Sequence, residues 1–340
     1  MTLVTSETRS PKRWAPTLRP PLIAAAGAVA AFAIVSVAVL GLATFVQSLL
    51  SALMMGSQYA LIAIGYTMVY GIVRLINFAH GDIFMVGSFA TYYLLALLSI
   101  PWWVAMVLSM LLTGLVGVLV ERLAYRPLRQ APRASLLITA IAVSLFLENL
   151  GNVVFGAQSK AFVVESSLVA HREWTFMGEP IYYQSLIVAV PLIAALLVVG
   201  LTLFLGRTRL GAAIRATSQD PEMARMLGIP VNRVIALVFF IGSALAAAGG
   251  TLYSMQYVQI HPLMGVLPGM KAFTAAVLGG IGSIAGAVLG GLLLGLIESF
   301  VVVFFPALTS FQNVFAVVIL LLILLVRPTG LMGEDLSEKV

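Results

Sequence analysis

Apolar runs of about 20 residues follow one another along almost the whole chain, and they leave few folds open. A run of that length crosses the roughly 30 Å hydrocarbon layer of a membrane as a helix. The runs are continuous and lack the ten-residue alternation of a membrane barrel, so the spanning elements are helices. Of the 340 residues, 61% are hydrophobic and 9% charged, and the mean hydropathy is +1.07. A soluble domain carries roughly 25% charged residues. The expectation is an all-α polytopic membrane protein. Candidate spans cover 22–42, 45–72, 83–100, 104–120, 136–155, 181–205, 234–257, a short 272–280, 284–304 and 314–326. That makes about nine or ten transmembrane segments, short and broken helices included.

Charge sets the expected orientation. Arg9, Lys12, Arg13 and Arg19 precede the first run. Arg122, Arg126, Arg129 and Arg133 sit between the fourth and fifth runs, and Arg207, Arg209, Arg215, Arg225 and Arg233 between the sixth and seventh. If the spans alternate, all three groups share one side, which the positive-inside rule makes the cytoplasm. Loop topology thus accounts for the net charge of +6, and no nucleic-acid partner is implied. The chain reads as a cytoplasmic arm over 1–21, a retained span over 22–42, one membrane domain over 43–333 with a cytoplasmic loop at 207–233, and a tail over 334–340. The run at 22–42 is long for a signal peptide, and a second apolar run follows at once. The loop at 156–180 then lies outside. An inside C-terminus requires the short 272–280 element to count as a crossing. The chain has no cysteine, which removes disulfides and thiolate chemistry.

Residues 70–87, YGIVRLINFAHGDIFMVG, join two apolar segments through Asn77, His80, Gly81 and Asp82. Irregular backbone at membrane depth is tolerated only where protein or water surrounds it. The stretch is either a tight cytoplasmic turn or part of a crossing pathway, and the residues alone do not choose. Other polar groups lie within apolar runs: Glu148 with Asn149 and Asn152, then Lys271, then Glu298. Charges there are costly and belong in the bundle interior, in water or at an interface. They either hydrogen-bond helices together or relay protons. Candidates for the path or its gate are Asn77, His80, Asp82, Glu148, Asn149 and Glu298.

The cytoplasmic stretch 215–231, RATSQDPEMARMLGIPV, predicts a short capped helix. Asp220 suits the N-cap, and Pro221 the first helical position. Glu222 complements the positive helix start, and Arg225 the negative end. Gly228 suits the left-handed residue that ends the helix. Ala224, Leu227 and Met223 are expected on one face. An isolated helix this short is marginal in water, so it packs on its own membrane domain or docks into a partner. Glycine marks a third region. Gly279, Gly280 and Gly282 break a helix, and beyond them Gly286 with Gly290, and Gly291 with Gly295, are four apart. Small residues at that spacing let membrane helices approach closely. There is no P-loop, no HExxH and no G-x-S-x-G elbow, and the three histidines are far apart. No enzymatic activity, resident cofactor or metal site is expected.

The stretches YALIAIGYTMVYGIVRLINFAHGD (59–82), ERLAYRPLR (121–129), GIPVNRVIAL (228–237), GMKAFTAAVLGGIGSIAGAVLGGLLLG (269–295) and LLVRPTGLMG (324–333) together resemble the LivH-type permease of the branched-chain amino acid ABC importers. The resemblance covers most of the chain from about residue 44. It implies one of two related membrane subunits in the bacterial inner membrane, beside a LivM-like permease. Two cytoplasmic ATPases bind the ATP and magnesium, and a periplasmic binding protein delivers the substrate. In that family Ala216, Asp220, Ala224 and Gly228 match the recurring coupling pattern, which makes Glu222 and Leu227 coupling candidates as well. The span at 22–42 departs from short members of the family, and the loop at 156–180 does not match it strongly. Permeases for urea, short amides or other amino acids share the pattern. A proton-coupled carrier using Glu148 and Glu298 is the rival from another class.

Overall fold

The computed structural model describes residues 37, 41–129, 131–164, 168–176, 179–326 and 329–333. Residues Gln47–Val340 form one compact unit and Met1–Val46 another. The expected arm over 1–21 and tail over 334–340 lie outside the described residues, as does the span over 22–42 apart from residues 37, 41 and 42. The described chain is a helical membrane bundle. Among these residues seven helices are long and apolar enough to cross a membrane, and two shorter apolar helices accompany them.

The elements in chain order are α1 (Leu42–Val73), α2 (His80–Leu98) and α3 (Trp102–Val120), which continues into a wider π turn and then a tighter 3-10 turn. Next come α4 (Arg133–Phe155), β1 (Lys160–Ala161), β2 (His171–Phe176), β3 (Glu179–Gln184) and α5 (Leu186–Arg207). They are followed by α6 (Arg209–Gln219), α7 (Pro221–Met226), α8 (Val231–Tyr257), β4 (Gln259–Ile260), α9 (Val266–Gly279), α10 (Ile284–Phe304) and α11 (Gln312–Val326).

Two expectations need correction. The sixth span does not begin at 181, because Ile181 pairs with Trp174 in an antiparallel β2–β3 hairpin and the helix starts at Leu186. Aromatic and β-branched residues in IYY suit a strand as well as a membrane helix. The loop at 207–233 is also more structured than the single short helix expected there. Thr208 caps α6 by accepting from Gly211 N at 2.9 Å, so an 11-residue helix precedes the predicted one.

Burial centres on α8, whose Val238, Ala246, Ala247, Ala248 and Leu252 are fully enclosed. Lipid is as apolar as these side chains, so close packing and hydrogen bonds must hold the helices together. Small residues provide the close approach. Gly242 of α8 faces Gly65 of α1, Ala247 faces Gly87 of α2, and Ser243 faces Gly117 of α3. Hydroxyls add cross-links: Thr91 and Thr251 share a 2.7 Å hydrogen bond, and Ser109 donates to the Gly87 carbonyl at 2.7 Å. On the other flank, α10 packs two faces at once. Gly291 and Gly295 meet Ala60 and Gly56 of α1, while Gly286 and Gly290 meet Gly279 and Ala275 of α9.

The two ends of the bundle differ in charge. Arg129 donates to Asn232 at 2.8 Å, and Tyr125 donates to Asn77 at 2.6 Å, so the turns after α1 and α3 and the start of α8 share one end. That end carries Arg74, Arg122, Arg126, Arg129 and Arg233. At the opposite end β1 pairs with β4, bringing Lys160 beside Ile260, and the Lys160 ammonium donates to Tyr93 at 2.8 Å. Residues 329–333 return to the end of α9, where Leu331 N donates to the Leu278 carbonyl and Met332 N to the Gly279 carbonyl.

Candidate translocation and coupling sites

The break between α1 and α2 reaches deep into the bundle. A Cβ at Gly65 would occupy the space of the His80 imidazole, so the two are in direct contact. Gly65 also stands against Gly242, which lies about 17 Å along the roughly 40 Å length of α8. Helix α2 therefore starts near mid-depth. Helix α1 runs eight residues past Gly65 to Val73, and the chain climbs back through 74–79, with Arg74 in the left-handed region at φ 56°.

A second helix starts at the same depth. Gly265, the N-cap of α9, and Gly269 lie against Gly81, and a Cβ at any of the three would collide with the facing backbone. Helix α9 has 14 residues, about 21 Å, which spans part of a membrane but not all of it. Residues 258–265 therefore re-enter the bundle from the less basic end. Two helix N-termini meet at the Gly81–Gly265 contact, and each carries a partial positive charge. Asp82, in the first turn of α2, is buried there and accepts a hydrogen bond from Ser144 of α4. Among the described residues no basic side chain forms an ion pair with it.

Around this junction the predicted residues take separate places. Asn77 is buried, and its oxygen accepts from Tyr125 while its Nδ2 has no hydrogen-bond partner among the described residues. His80 is buried edge-on to Tyr66 at 4.7 Å, and its Nε2 likewise lacks a partner. Tyr66 also packs on Phe273 of α9 at 6.0 Å. With Tyr70, Ile76, Ala276 and Ile281, these two rings line a small apolar recess below the break. Glu148 is half-buried one helical turn beyond Ser144, within electrostatic reach of Asp82. Asn149 does not face the interior: it is exposed, and its amide turns back to the Leu145 carbonyl at 2.7 Å.

Glu298 stands apart from all of these. It is fully buried on α10 and paired with Lys271 of α9 at 3.0 Å. Tyr59 of α1 donates to it at 2.7 Å, and Gln312 of α11 at 3.2 Å. Four helices are joined at this one carboxylate. Lys271, whose partner lies 27 residues away, is the residue that completes the cluster.

At the basic end the predicted capped helix forms as α7. Asp220 accepts from the backbone N–H groups of Glu222 and Met223, both at 2.9 Å, and Pro221 occupies the first position. Gly228 follows with φ 80°. Ala216 precedes the cap, and its carbonyl accepts from Asp220 N. The face expected to hold Ala224, Leu227 and Met223 together is split. Ala224 is 2% exposed and packs inward, whereas Met223 and Leu227 are 55% and 74% exposed. The three-position step from Ala224 to Leu227 spans most of a full turn, but the helix ends at Met226 and Leu227 swings outward.

The sequence comparisons agree with this architecture. Residues 48–326 match the family model described as the permease component of branched-chain amino acid transport systems. The BraD permease of a high-affinity branched-chain amino acid transport system in Pseudomonas aeruginosa is 46% identical over 307 residues, covering 87% of this chain and 98% of BraD. The LivH permease of Escherichia coli K12 is 41% identical over 306 residues, with the same coverage. A probable LivH from Methanocaldococcus jannaschii is 30% identical over 300 residues, covering 84% of this chain and 91% of its own. The chain belongs to the family of membrane permease components of branched-chain amino acid transport systems.

Proposed function

We propose that this chain is one of two membrane subunits of an ATP-driven importer that carries branched-chain amino acids across the bacterial inner membrane. The names of its relatives support the substrate class. The observation that carries the partner assignment is α7, a capped helix at the basic end with Met223, Met226 and Leu227 turned to the outside. Apolar side chains held on a rigid knob in water fit a groove on another protein. The basic end is the cytoplasmic one by the positive-inside rule, so the partner is a cytoplasmic ATPase that binds ATP and magnesium. A related second permease and a periplasmic binding protein complete the assembly. The N-terminus is assigned to the cytoplasm on the basic residues 9–19.

In this reading ATP closes two ATPase subunits, and α7 passes that motion through α6 and α8 to the bundle. The discontinuous helices α2 and α9 are the parts able to shift, because their contact at Gly81 and Gly265 is glycine on glycine. Asn77, His80 and Asp82 hold or gate that junction. The binding protein supplies selectivity, so the membrane path needs only a weak apolar route for an aliphatic side chain.

The test is gentle purification of the tagged chain from its own membranes, with mass spectrometry of what accompanies it. A P-loop ATPase and a second permease in fixed ratio support the proposal. A lone chain that transports under a proton gradient contradicts it and favours a carrier.

A further inference from the structure

Helices α4 and α5 are both largely exposed on the described unit, but their outer surfaces differ in chemistry. The outer face of α5 carries Val188, Leu192, Leu196, Val199 and Leu203, with no charged or amide side chain between Leu186 and Leu205. Thr202 alone interrupts it, and its hydroxyl is bonded to the Val198 carbonyl at 2.8 Å. That surface suits lipid. Helix α4 buries Leu136, Ala140, Leu147 and Gly151 and turns Phe146, Leu150 and Val153 outward. Among these outward residues stands Asn149, with Glu148 half-exposed beside it.

The depth of these two residues decides what can cover them. Ser144 hydrogen-bonds Asp82, which starts α2 near mid-depth. Glu148 and Asn149 lie about 6–8 Å further along α4, still inside the hydrocarbon. A carboxylate or amide facing lipid at that depth is expensive and calls for a polar partner. The described residues give Asn149 only its own Leu145 carbonyl. A second acid, Asp82, lies within electrostatic reach of Glu148, so a partner must bring a donor or a positive charge.

We infer that the α4 face around Phe146, Asn149 and Val153 is the seat of the second membrane subunit, and that this subunit presents a basic or amide side chain to Glu148. A second copy of this chain would bring the same acids to the contact, so a different chain is the occupant. The inference rests on the two-subunit reading above and adds which face is used.

Photo-crosslinking from sites within the intact assembly tests it. Benzoylphenylalanine replaces Phe146 or Val153 on α4, and Leu192 or Leu196 on α5, in cells expressing the whole transport system. The expected result is a covalent adduct from both α4 sites to a second polytopic membrane chain, identified by mass spectrometry, with lipid adducts alone from α5. Adducts from α4 to lipid alone or to a second copy of this chain overturn the inference, as does a partner captured only from α5. Co-purification is scored on the same membranes. A second permease that co-purifies without an α4 adduct overturns the interface and leaves the two-subunit reading intact; its absence overturns both. Glu148→Leu is expected to lower recovery of the second chain by roughly tenfold, and Leu196→Ala to leave it unchanged.

Discussion

The Lys271 ammonium and the Glu298 carboxylate face each other at 3.0 Å in the interior of the bundle, tying the short helix α9 to α10. Removing one member of such a pair leaves an uncompensated buried charge, which costs about 3–5 kcal/mol. Lys271→Met alone and Glu298→Leu alone are therefore expected to lower the melting temperature in detergent sharply. The double variant, which leaves no lone charge, is expected to recover much of the loss. The test is thermal unfolding monitored by size-exclusion chromatography. Two single variants as stable as the parent would remove the structural role of the pair.

The glycine contact between the two discontinuous helices makes a second prediction. A Cβ at Gly81 or Gly265 collides with the facing backbone, whereas one at Gly71 meets nothing within 4 Å. Gly265→Ala is expected to cost about 1–3 kcal/mol through overpacking and to abolish transport before it abolishes insertion. Gly71→Ala serves as the matched control and should retain both. Measuring uptake beside folded yield separates the two effects.

Helix α7 is expected to respond differently on its two sides. Met226→Asp and Leu227→Asp change exposed positions and should leave the chain folded while uncoupling ATP hydrolysis from transport. Ala224→Asp places a charge at a 2% exposed position and should reduce folded yield instead. Asp220→Ala removes the acceptor for two backbone N–H groups and should cost about 1 kcal/mol locally. ATPase assays on purified assemblies, with and without the binding protein and substrate, would show the split.

Tyr125→Phe removes the donor to the buried Asn77 oxygen. An unpaired buried polar group costs about 1–3 kcal/mol, and the variant is expected to lose stability by that order in the same unfolding assay. Tyr92→Phe, which alters no hydroxyl contact at the junction, should not.

Much of this fold was legible in the chain because hydropathy and helix ends are local. Residues 284–304 read as a span and form a helix with those same bounds, since Ser283 caps one end by accepting from Gly286 N and Phe305 closes the other. Helix α9 is longer than expected and begins at Val266 rather than 272. Pro268 and Gly269 look like helix breakers, but in a first turn proline loses no hydrogen bond it would have made. The sites were less legible. The break at Asn77–Asp82 stood out, yet its depth depends on Gly65, Gly242 and Gly265, which are far apart in sequence. Glu298 and Lys271 were each visible as costly charges. Nothing local says that they meet, because their pairing depends on how α9 packs against α10. The outward turn of Asn149 is likewise set by which side of α4 packs on α2.

The most direct measurement is uptake of labelled leucine into proteoliposomes holding this chain with its co-purified partners, in the presence of the binding protein. The account predicts accumulation that requires ATP inside the compartment facing the ATPases, and that Leu227→Asp suppresses without loss of the assembly. Accumulation driven by a proton gradient without ATP, or full transport by the Leu227→Asp assembly, would contradict it.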